Sequence, residues 1–584
     1  MAKEKTDPTK VEIAKQNSEL LRGSIDETLR NPELDCFKED DLQLLKFHGS
    51  YQQDDRDLRK SRRAEGLGKA YSYMLRVVLP AGQLTAAQYL DLDRIADEFA
   101  NHSIRLTTRQ AVQFHGVIKG DLRETIRQIN ESLMTTLAAC GDVCRNVMAT
   151  APPIQDAVHT KIRETAHAVA AELKPATQAY HEIWIDGQRQ VTSQTATPET
   201  EPIYGETYLP RKYKVGVTVQ GDNQIDIYSY DAGLIGVLEN DQLIGWNVVA
   251  GGGLGMSHGR PNTFAQIAEN IGFVAIDDGV AAMRVIATIY RDFGNRFDRK
   301  QARLKYLIDK MGVDQFRREF IDRCEFDVHP SRPIPEIQIE DWMGKHEQGD
   351  GKFFYGVFVE NGRIKDTDDV KLRTAFLKII KTLNCSTTLT PQQSILFNDL
   401  DESQIKELES ILTEHNVPLL HELSNARRYS MACPSMPTCG LAVAESERVM
   451  PDFITEVENT LAELGLADTQ LTIRMTGCPN GCARPYTADI ALVGRRPGVY
   501  HLFVGGRLAG DRMADLYAAD VKIESIIETL MPLLNKFAAE RNPEEGLGDF
   551  YQRVLDRTES RKRVTGKEIP TYDDLQPKLI QIGA

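Results

Sequence analysis

Two stretches of the chain concentrate apolar residues in the same way and are followed by the same features. Tyr73-Met74-Leu75-Arg76-Val77-Val78-Leu79 and Phe353-Phe354-Tyr355-Gly356-Val357-Phe358-Val359 are rich in aromatic and β-branched residues, and each runs on to a glycine, Gly82 or Gly362. Each predicts a strand closed by a turn. Behind them, Tyr89 to Phe99 and Val370 to Leu383 carry apolar residues three and four apart, which predicts a helix with one buried face. Strand, helix, strand, used twice, is an α+β unit. A further helix is predicted through Phe453, Val457, Leu461 and Leu464. Residues 1 to about 66 break this pattern. Lys15 to Arg30 predicts a helix, whereas Tyr51 to Lys60 is polar enough to predict an extended arm or a partner-facing segment.

The similarity extends beyond pattern to residues. Arg105-Leu106-Thr107-Thr108-Arg109-Gln110-Ala111-Val112-Gln113-Phe114-His115 aligns with Thr388 to Asn398 at an offset of 283, so that Leu, Thr, Gln and Phe recur in register. The same offset places Arg145 on Arg428, Met148 on Met431, Ala149 on Ala432 and Thr150 on Cys433. Further on, Gly251-Gly252-Gly253-Leu254 matches Gly505-Gly506-Arg507-Leu508 at an offset of 254, which predicts an insertion in the first copy, near Lys174 to Glu206. An internal duplication accounts for all of this.

Composition adds bounds. A chain of 584 residues can hold about three domains. With 70 basic against 85 acidic residues its formal charge is -15, which argues against general nucleic-acid or membrane-surface binding, and no apolar stretch approaches the ~20 residues of a membrane span. The polar opening from Met1 to Asp7 lacks the apolar core of a signal peptide, so a cytoplasmic, reducing compartment is expected.

Four of the nine cysteines carry the strongest chemical signal. Cys433 and Cys439 stand six apart, Cys478 and Cys482 four apart, in loops whose glycines and prolines exclude a regular helix: Cys433-Pro434-Ser435-Met436-Pro437-Thr438-Cys439 and Gly477-Cys478-Pro479-Asn480-Gly481-Cys482. Thiolates grouped on turns with free backbone N–H groups suit an iron–sulfur cluster. Structural zinc, which favours tighter knuckles, fits less well, and an odd cysteine count in a reducing compartment disfavours disulfides. Cys140 and Cys144 share the second spacing but lack the proline-fixed turn, and are expected to be small buried residues. Cations gather at Arg105 and Arg109, at Arg145, at Arg211-Lys212-Tyr213-Lys214 and from Asn295 to Lys305. If helical, that last run would align Arg296, Lys300 and Arg303, with Arg299 beside them. In an acidic protein such gatherings point to a local anion pocket.

The four cysteines, Arg105-Leu106-Thr107-Thr108-Arg109-Gln110, Arg145-Asn146-Val147, Leu209-Pro210-Arg211-Lys212-Tyr213-Lys214 and the two Gly-Gly segments together resemble the sirohaem and 4Fe-4S sulfite/nitrite reductase family, from about Phe47 to Phe550. The resemblance implies an α+β, internally duplicated, pseudo-two-fold architecture. Its parts would be an N-terminal arm at 1–66 for possible partner docking, ferredoxin-like half-domains at 67–138 and 345–419, and two α/β cofactor-binding domains, one for sirohaem and substrate at 139–335 and one for the cluster and sirohaem at 420–584. It implies that Cys433, Cys439, Cys478 and Cys482 ligate the cluster, Cys482 also bridging to the sirohaem iron. It further implies that Arg76, Arg145, Lys212 and Lys214 surround the substrate, and that Arg105, Arg109, Gln113, His115 and Arg299 contact the sirohaem. A lone histidine beside Phe114 is given no axial role.

The implied activity is the six-electron reduction of sulfite to sulfide, in sulfate assimilation and cysteine biosynthesis. Since no Gly-x-Gly-x-x-Gly segment follows a clear strand, electrons should come from NADPH through a separate flavoprotein reductase subunit, or from ferredoxin. A ferredoxin-dependent sulfite or nitrite reductase is the alternative within the family. A non-catalytic iron–sulfur electron carrier is the alternative outside it, and would have no use for the cations.

Overall fold

The computed structural model describes residues 7–177, 201–557 and 560–568, together with the strands Ile183–Ile185 and Gln188–Gln190. The insertion predicted near Lys174 to Glu206 falls largely outside the described residues.

Four five-stranded sheets form two matched pairs. In the first pair, Ser50–Asp54, Tyr71–Arg76, Val112–Val117, Ile104–Leu106 and Arg363–Ile364 lie side by side, as do Gly344–Glu347, Phe353–Val357, Ile395–Leu400, Thr387–Leu389 and Gln83–Leu84. Each sheet is antiparallel, and each takes its last strand from the other repeat. Arg363 pairs with Arg105, and Gln83 with Thr388. The exchange is fixed by two residues in mirrored roles. Gln110 and Gln393 both stand at positive φ, and each donates its amide across the junction, Gln110 to the Leu389 carbonyl at 3.0 Å and Gln393 to the Leu106 carbonyl at 3.5 Å. Gly82 and Gly362 lie against the same carbonyls, where a Cβ would come within 2.7 and 2.5 Å of oxygen.

The second pair is mixed. Met148–Ala149, Val215–Val219 and Ala232–Glu239 run parallel, then Gln242–Ala250 and Glu269–Val274 return antiparallel. Ser430–Ala432, Ile473–Thr476, Ile490–Arg496, Val499–Val504 and Asp515–Lys522 repeat that order and those directions. The duplication read from the sequence is thus built twice in three dimensions, as an α+β fold.

Helices form where the apolar spacing predicts them. Ala86–Phe99 starts at a capping box between Thr85 and Gln88 and buries Tyr89, Leu92, Ile95 and Ala96. Its counterpart Leu372–Leu383 buries Ala375, Phe376, Ile379 and Ile380, and Met450–Glu463 buries Phe453, Ile454, Val457 and Leu461. One core spans both small sheets and the first mixed sheet, and a second belongs to the other mixed sheet. Among the described residues no helix is long and apolar enough to cross a membrane.

Three expectations are corrected. Residues 7–66 are not an extended arm. Ser50–Asp54 is an edge strand of the first sheet, and Lys15, fully buried, bonds to Glu12 at 2.6 Å and to the Leu209 carbonyl at 2.8 Å. Polar composition misled because part of it is paired within the fold, Lys15 with Glu12 and Arg59 with Asp54, while Lys60 and Arg63 stay exposed. The predicted helix from Lys15 to Arg30 is two short helices, Lys10–Gln16 and Ile25–Arg30, broken where Glu19, Leu20 and Leu21 take positive φ. Asn295 to Lys305 is likewise not one helix. A short 3-10 turn at Arg299–Gln301 precedes a helix that starts at Leu304, so Arg296, Lys300 and Arg303 share no face.

Candidate active site

The cysteine loops leave the carboxyl ends of neighbouring parallel strands, the place where open α/β sheets hold ligands. Cys433 follows Ser430–Ala432 and Cys478 follows Ile473–Thr476. The loops interlock tightly: the Gly477 carbonyl accepts from Val443 and Ala444, and a Cβ on Gly477 would fall 1.9 Å from Ser435 Oγ, so only glycine fits. Gly477 N–H points at Cys433 Sγ (3.4 Å) and the Asn480 amide at Cys478 Sγ (3.5 Å). Burial pushes the Cys433 thiol up to about 12, and raises Cys439 and Cys478, with the neighbouring thiols adding to each shift. Such a group is held as thiolates only by positive charge among the sulfurs. Among the described residues no three His, Cys, Asp or Glu side chains converge as a single-ion site.

Cys482 differs from the other three. It is exposed within a run of buried residues, and its carbonyl accepts from Thr108 Oγ1 of the first repeat at 3.1 Å. The duplicated loop thus delivers the first half's cations to the second half's outermost thiol.

Those cations lie close enough together to act on Lys212 and Lys214. Lys212 and Lys214 are half-buried, and both are held well below the ordinary lysine range, first by desolvation. Arg303, Arg211 and Arg145 then depress Lys212, and Lys212, Arg109 and Arg303 depress Lys214; Cys482 acts on Lys212 in the opposite direction. Arg145 Nε donates to the Gly141 carbonyl at 2.8 Å. Arg76 donates to Cys140 Sγ at 3.0 Å, and the Gln113 amide oxygen accepts from Arg76 Nε at 3.1 Å. Tyr51, which the sequence reading left unassigned, lies within electrostatic reach of Cys140, Arg145, Arg76 and Arg211.

Arg109 stacks 4.6 Å over the Tyr230 ring, while its Nε and Nη1 are buried without an acceptor. An unsatisfied buried guanidinium is costly, so Arg109 calls for an anionic group from outside the chain. Arg105 is placed differently. Fully buried, it is bound by Glu447 and by the Ala432 carbonyl at 2.8 Å, and it ties the first repeat to the loop of Cys433. His115 is buried beside the Gln113 amide (3.3 Å) and held well below the usual histidine range by desolvation, then by Arg363, Arg105 and Arg76. It is a neutral, packed histidine. Arg299 makes a two-pronged pair with Asp142 at 2.8 and 3.0 Å. Asp142 also faces Lys15 and Arg211, so Arg299 shapes the Arg211–Lys214 segment from behind. Asp231 does the same from another side, paired with Arg303 at 2.9 and 2.8 Å and accepting from Lys214 N–H. Lys305, another residue left unassigned, buries its ammonium among the carbonyls of Gly253, Gly255 and Phe264. Only its place in a cation-rich run could have marked it.

Residues 165–327 match the family described as the nitrite and sulphite reductase 4Fe-4S domain, and residues 67–132 and 346–415 match the nitrite/sulfite reductase ferredoxin-like half domain. A sulfite reductase [NADPH] hemoprotein beta-component from Staphylococcus saprophyticus is 46% identical over 544 residues, covering 93% of this chain and 95% of its own. Its namesake from Lysinibacillus sphaericus is 42% identical over 94% and 95%. This chain belongs to the nitrite and sulphite reductase family. A Mycobacterium tuberculosis protein, NirA, shares the fold over 97% of this chain and 98% of its own, with a TM-score of 0.75 at 22% identity. The family's cofactors are a 4Fe-4S cluster and sirohaem, and the residues present fit both: four clustered thiols for the first, and for the polycarboxylate second Arg109, with two of its buried nitrogens unpartnered, among the cations Arg145, Lys212 and Lys214.

Proposed function

We propose that this chain is the haemoprotein component of an assimilatory sulfite reductase, which takes six electrons from a separate NADPH-fed flavoprotein and converts sulfite to sulfide. It resembles beta-component relatives along nearly their whole length, and no Gly-x-Gly-x-x-Gly dinucleotide motif is evident in its sequence. Cytoplasm is the proposed location, in keeping with nine cysteines none of which forms a disulfide.

Cys433, Cys439, Cys478 and Cys482 would hold the cluster, with Cys482 next to the haem, and Arg109 would pair with haem carboxylates. Bound there, the two cofactors supply the low-potential electrons. The chain's own residues do the rest. Arg76 and Arg145, which stay charged, grip the sulfite oxygens and draw charge from the S–O bonds. Six electrons and seven protons turn sulfite into hydrosulfide and three waters. Lys212, made acidic by desolvation and then by Arg303, Arg211 and Arg145, and Lys214, made acidic by desolvation and then by Lys212, Arg109 and Arg303, would give protons to departing oxygen at Nζ.

The observation that carries this reading is that Lys212 of the first half has both Arg145 of its own half and Cys482 of the second half's loop within its electrostatic reach, while Thr108 Oγ1 of the first half donates to the Cys482 carbonyl at 3.1 Å. A visible spectrum together with sulfite reduction by reduced methyl viologen tests it. Sirohaem bands in the red and sulfide production are expected, whereas cluster absorbance alone would reduce the protein to an electron carrier.

A further inference from the structure

Cys439 brings the cysteine loop to the surface. It is half-buried, Gly440 and Leu441 beyond it are exposed, and Leu441 is 65% open to solvent. Against this loop lies the segment that opens the helix Arg59–Ala64. Arg56 N–H donates to the Pro437 carbonyl at 3.3 Å, and its guanidinium donates to the carbonyls of Cys439 (3.1 Å) and Ala442 (2.6 Å). Asp57 is paired with Arg448 at 2.6 Å. The helix is therefore anchored beside the Cys439 loop where that loop reaches the surface.

Its charge runs opposite to that of the chain. Between Arg59 and Lys69 stand Arg59, Lys60, Arg62, Arg63 and Lys69 against the single acid Glu65, in a protein of formal charge -15. Arg59 is satisfied by Asp54 at 2.6 and 2.8 Å, and Arg62 donates to the Gly68 carbonyl. Lys60 and Arg63 are exposed and, among the described residues, have no carboxylate within ion-pair distance. Leu58, 45% exposed, adds an apolar spot to match Leu441. An apolar centre with a charged rim is the make-up of a transient protein interface. A local positive face on a negative body orients an acidic partner and repels it elsewhere.

Resting on the reductase reading above, we propose that Lys60, Arg63, Leu58 and Leu441 form the face on which an acidic flavoprotein donor docks to pass electrons in beside Cys439. Electron transfer slows steeply with distance, and this face shortens it.

The test is Lys60→Glu/Arg63→Glu. Three quantities are measured: sulfite reduction driven by the NADPH-reduced flavoprotein subunit of a sulfite reductase, sulfite reduction driven by methyl viologen, and the visible spectrum. At low salt the flavoprotein concentration giving half-maximal rate should rise about tenfold or more, and the difference should shrink at high salt. Viologen-driven rate and spectrum should not change, and Lys60→Arg/Arg63→Lys should behave as the unmodified chain. An unchanged flavoprotein requirement, a defect seen only with reduced ferredoxin, or loss of viologen-driven activity in the charge-reversed variant would each overturn the proposal. An unmodified chain inactive with viologen would overturn the reductase reading and this one with it.

Discussion

The two mixed sheets have one topology and opposite chemistry. Where the second half places Cys433 at the end of its first strand, the first half places Thr150, bonded to Thr218 at 2.9 Å and to Asp222 at 2.7 Å. Where Arg145 of the first half donates from Nε to the Gly141 carbonyl, the equivalent Arg428 is bound through its terminal nitrogens by Asp341 and Asn425. Asp231 of the first half holds Arg303, whereas Asp489 at the matching turn of the second is satisfied by Thr472 and the Gly548 N–H. One backbone thus carries cations on one side and clustered thiols on the other, because the positions at the strand ends are free to change while the strands are not. Close packing resists change in the strands, and the loop ends carry no such constraint.

The largest expected effects fall on that division. Cys482→Ser should abolish sulfite turnover with reduced viologen, since the second half's thiol would no longer face the first half's cations; normal turnover would break the comparison. Lys214→Met should lower kcat by about 10² to 10⁴, the range for a lost general acid. Lys214→Arg, which restores charge but not an acidic proton, should recover sulfite affinity more than kcat. Because both lysines lie below the ordinary value near 10.4, their protonated form is lost as pH rises through that lowered range. Activity should therefore fall on the alkaline side well before free lysine titrates, and the pH–rate profile of the unmodified enzyme measures it.

The duplication could be read from the sequence because strands and helices repeat their apolar spacing, and packed cores allow little else. The exchange of edge strands could not. Gln83–Leu84 and Arg363–Ile364 are two residues long, too short for any pattern, and their partners lie in the other repeat. The cysteines and Lys212–Lys214 were legible as clusters in sequence, but their supports were not. Asp142 meets Arg299 from 157 residues away, and Glu447 meets Arg105 from 342. Polar Tyr51 to Lys60 suggested an extended arm or a partner-facing segment because composition does not show that Ser50–Asp54 would pair as an edge strand with Tyr71–Arg76.

Asp142 makes the next prediction, on the first half alone. Its carboxyl is held well below the usual range despite full burial, because Arg299, Lys15 and Arg211 surround it. The resulting stability is present above the unfolded value near 3.9 and is lost as pH falls through the lower folded one. Asp142→Asn leaves those cations unopposed and should cost about 3–5 kcal/mol at neutral pH, read by urea denaturation. The penalty should shrink in acid. Asp489→Asn, whose partners are a hydroxyl and N–H groups, should cost less, and an equal loss would erase the distinction between the halves.

The smallest effect is the sharpest measure of symmetry. Gln110 and Gln393 occupy mirrored places, but the Gln110 side-chain oxygen also accepts from Ala149 N–H at 3.0 Å, while that of Gln393 is buried without a donor. Gln110→Ala should therefore destabilise the protein by about 1 kcal/mol more than Gln393→Ala, the net worth of one buried hydrogen bond. The cause lies in the first turn beyond the junction. Ala149 and Ala432 are the same residue in the two repeats, yet the Ala432 carbonyl, just before Cys433, accepts from Arg105 at 2.8 Å. If the two alanine variants prove equally stable in paired urea titrations, the halves differ only in the side chains at their strand ends. A gap of the expected size means that the cysteine loop has also shifted the backbone of the strand leading into it.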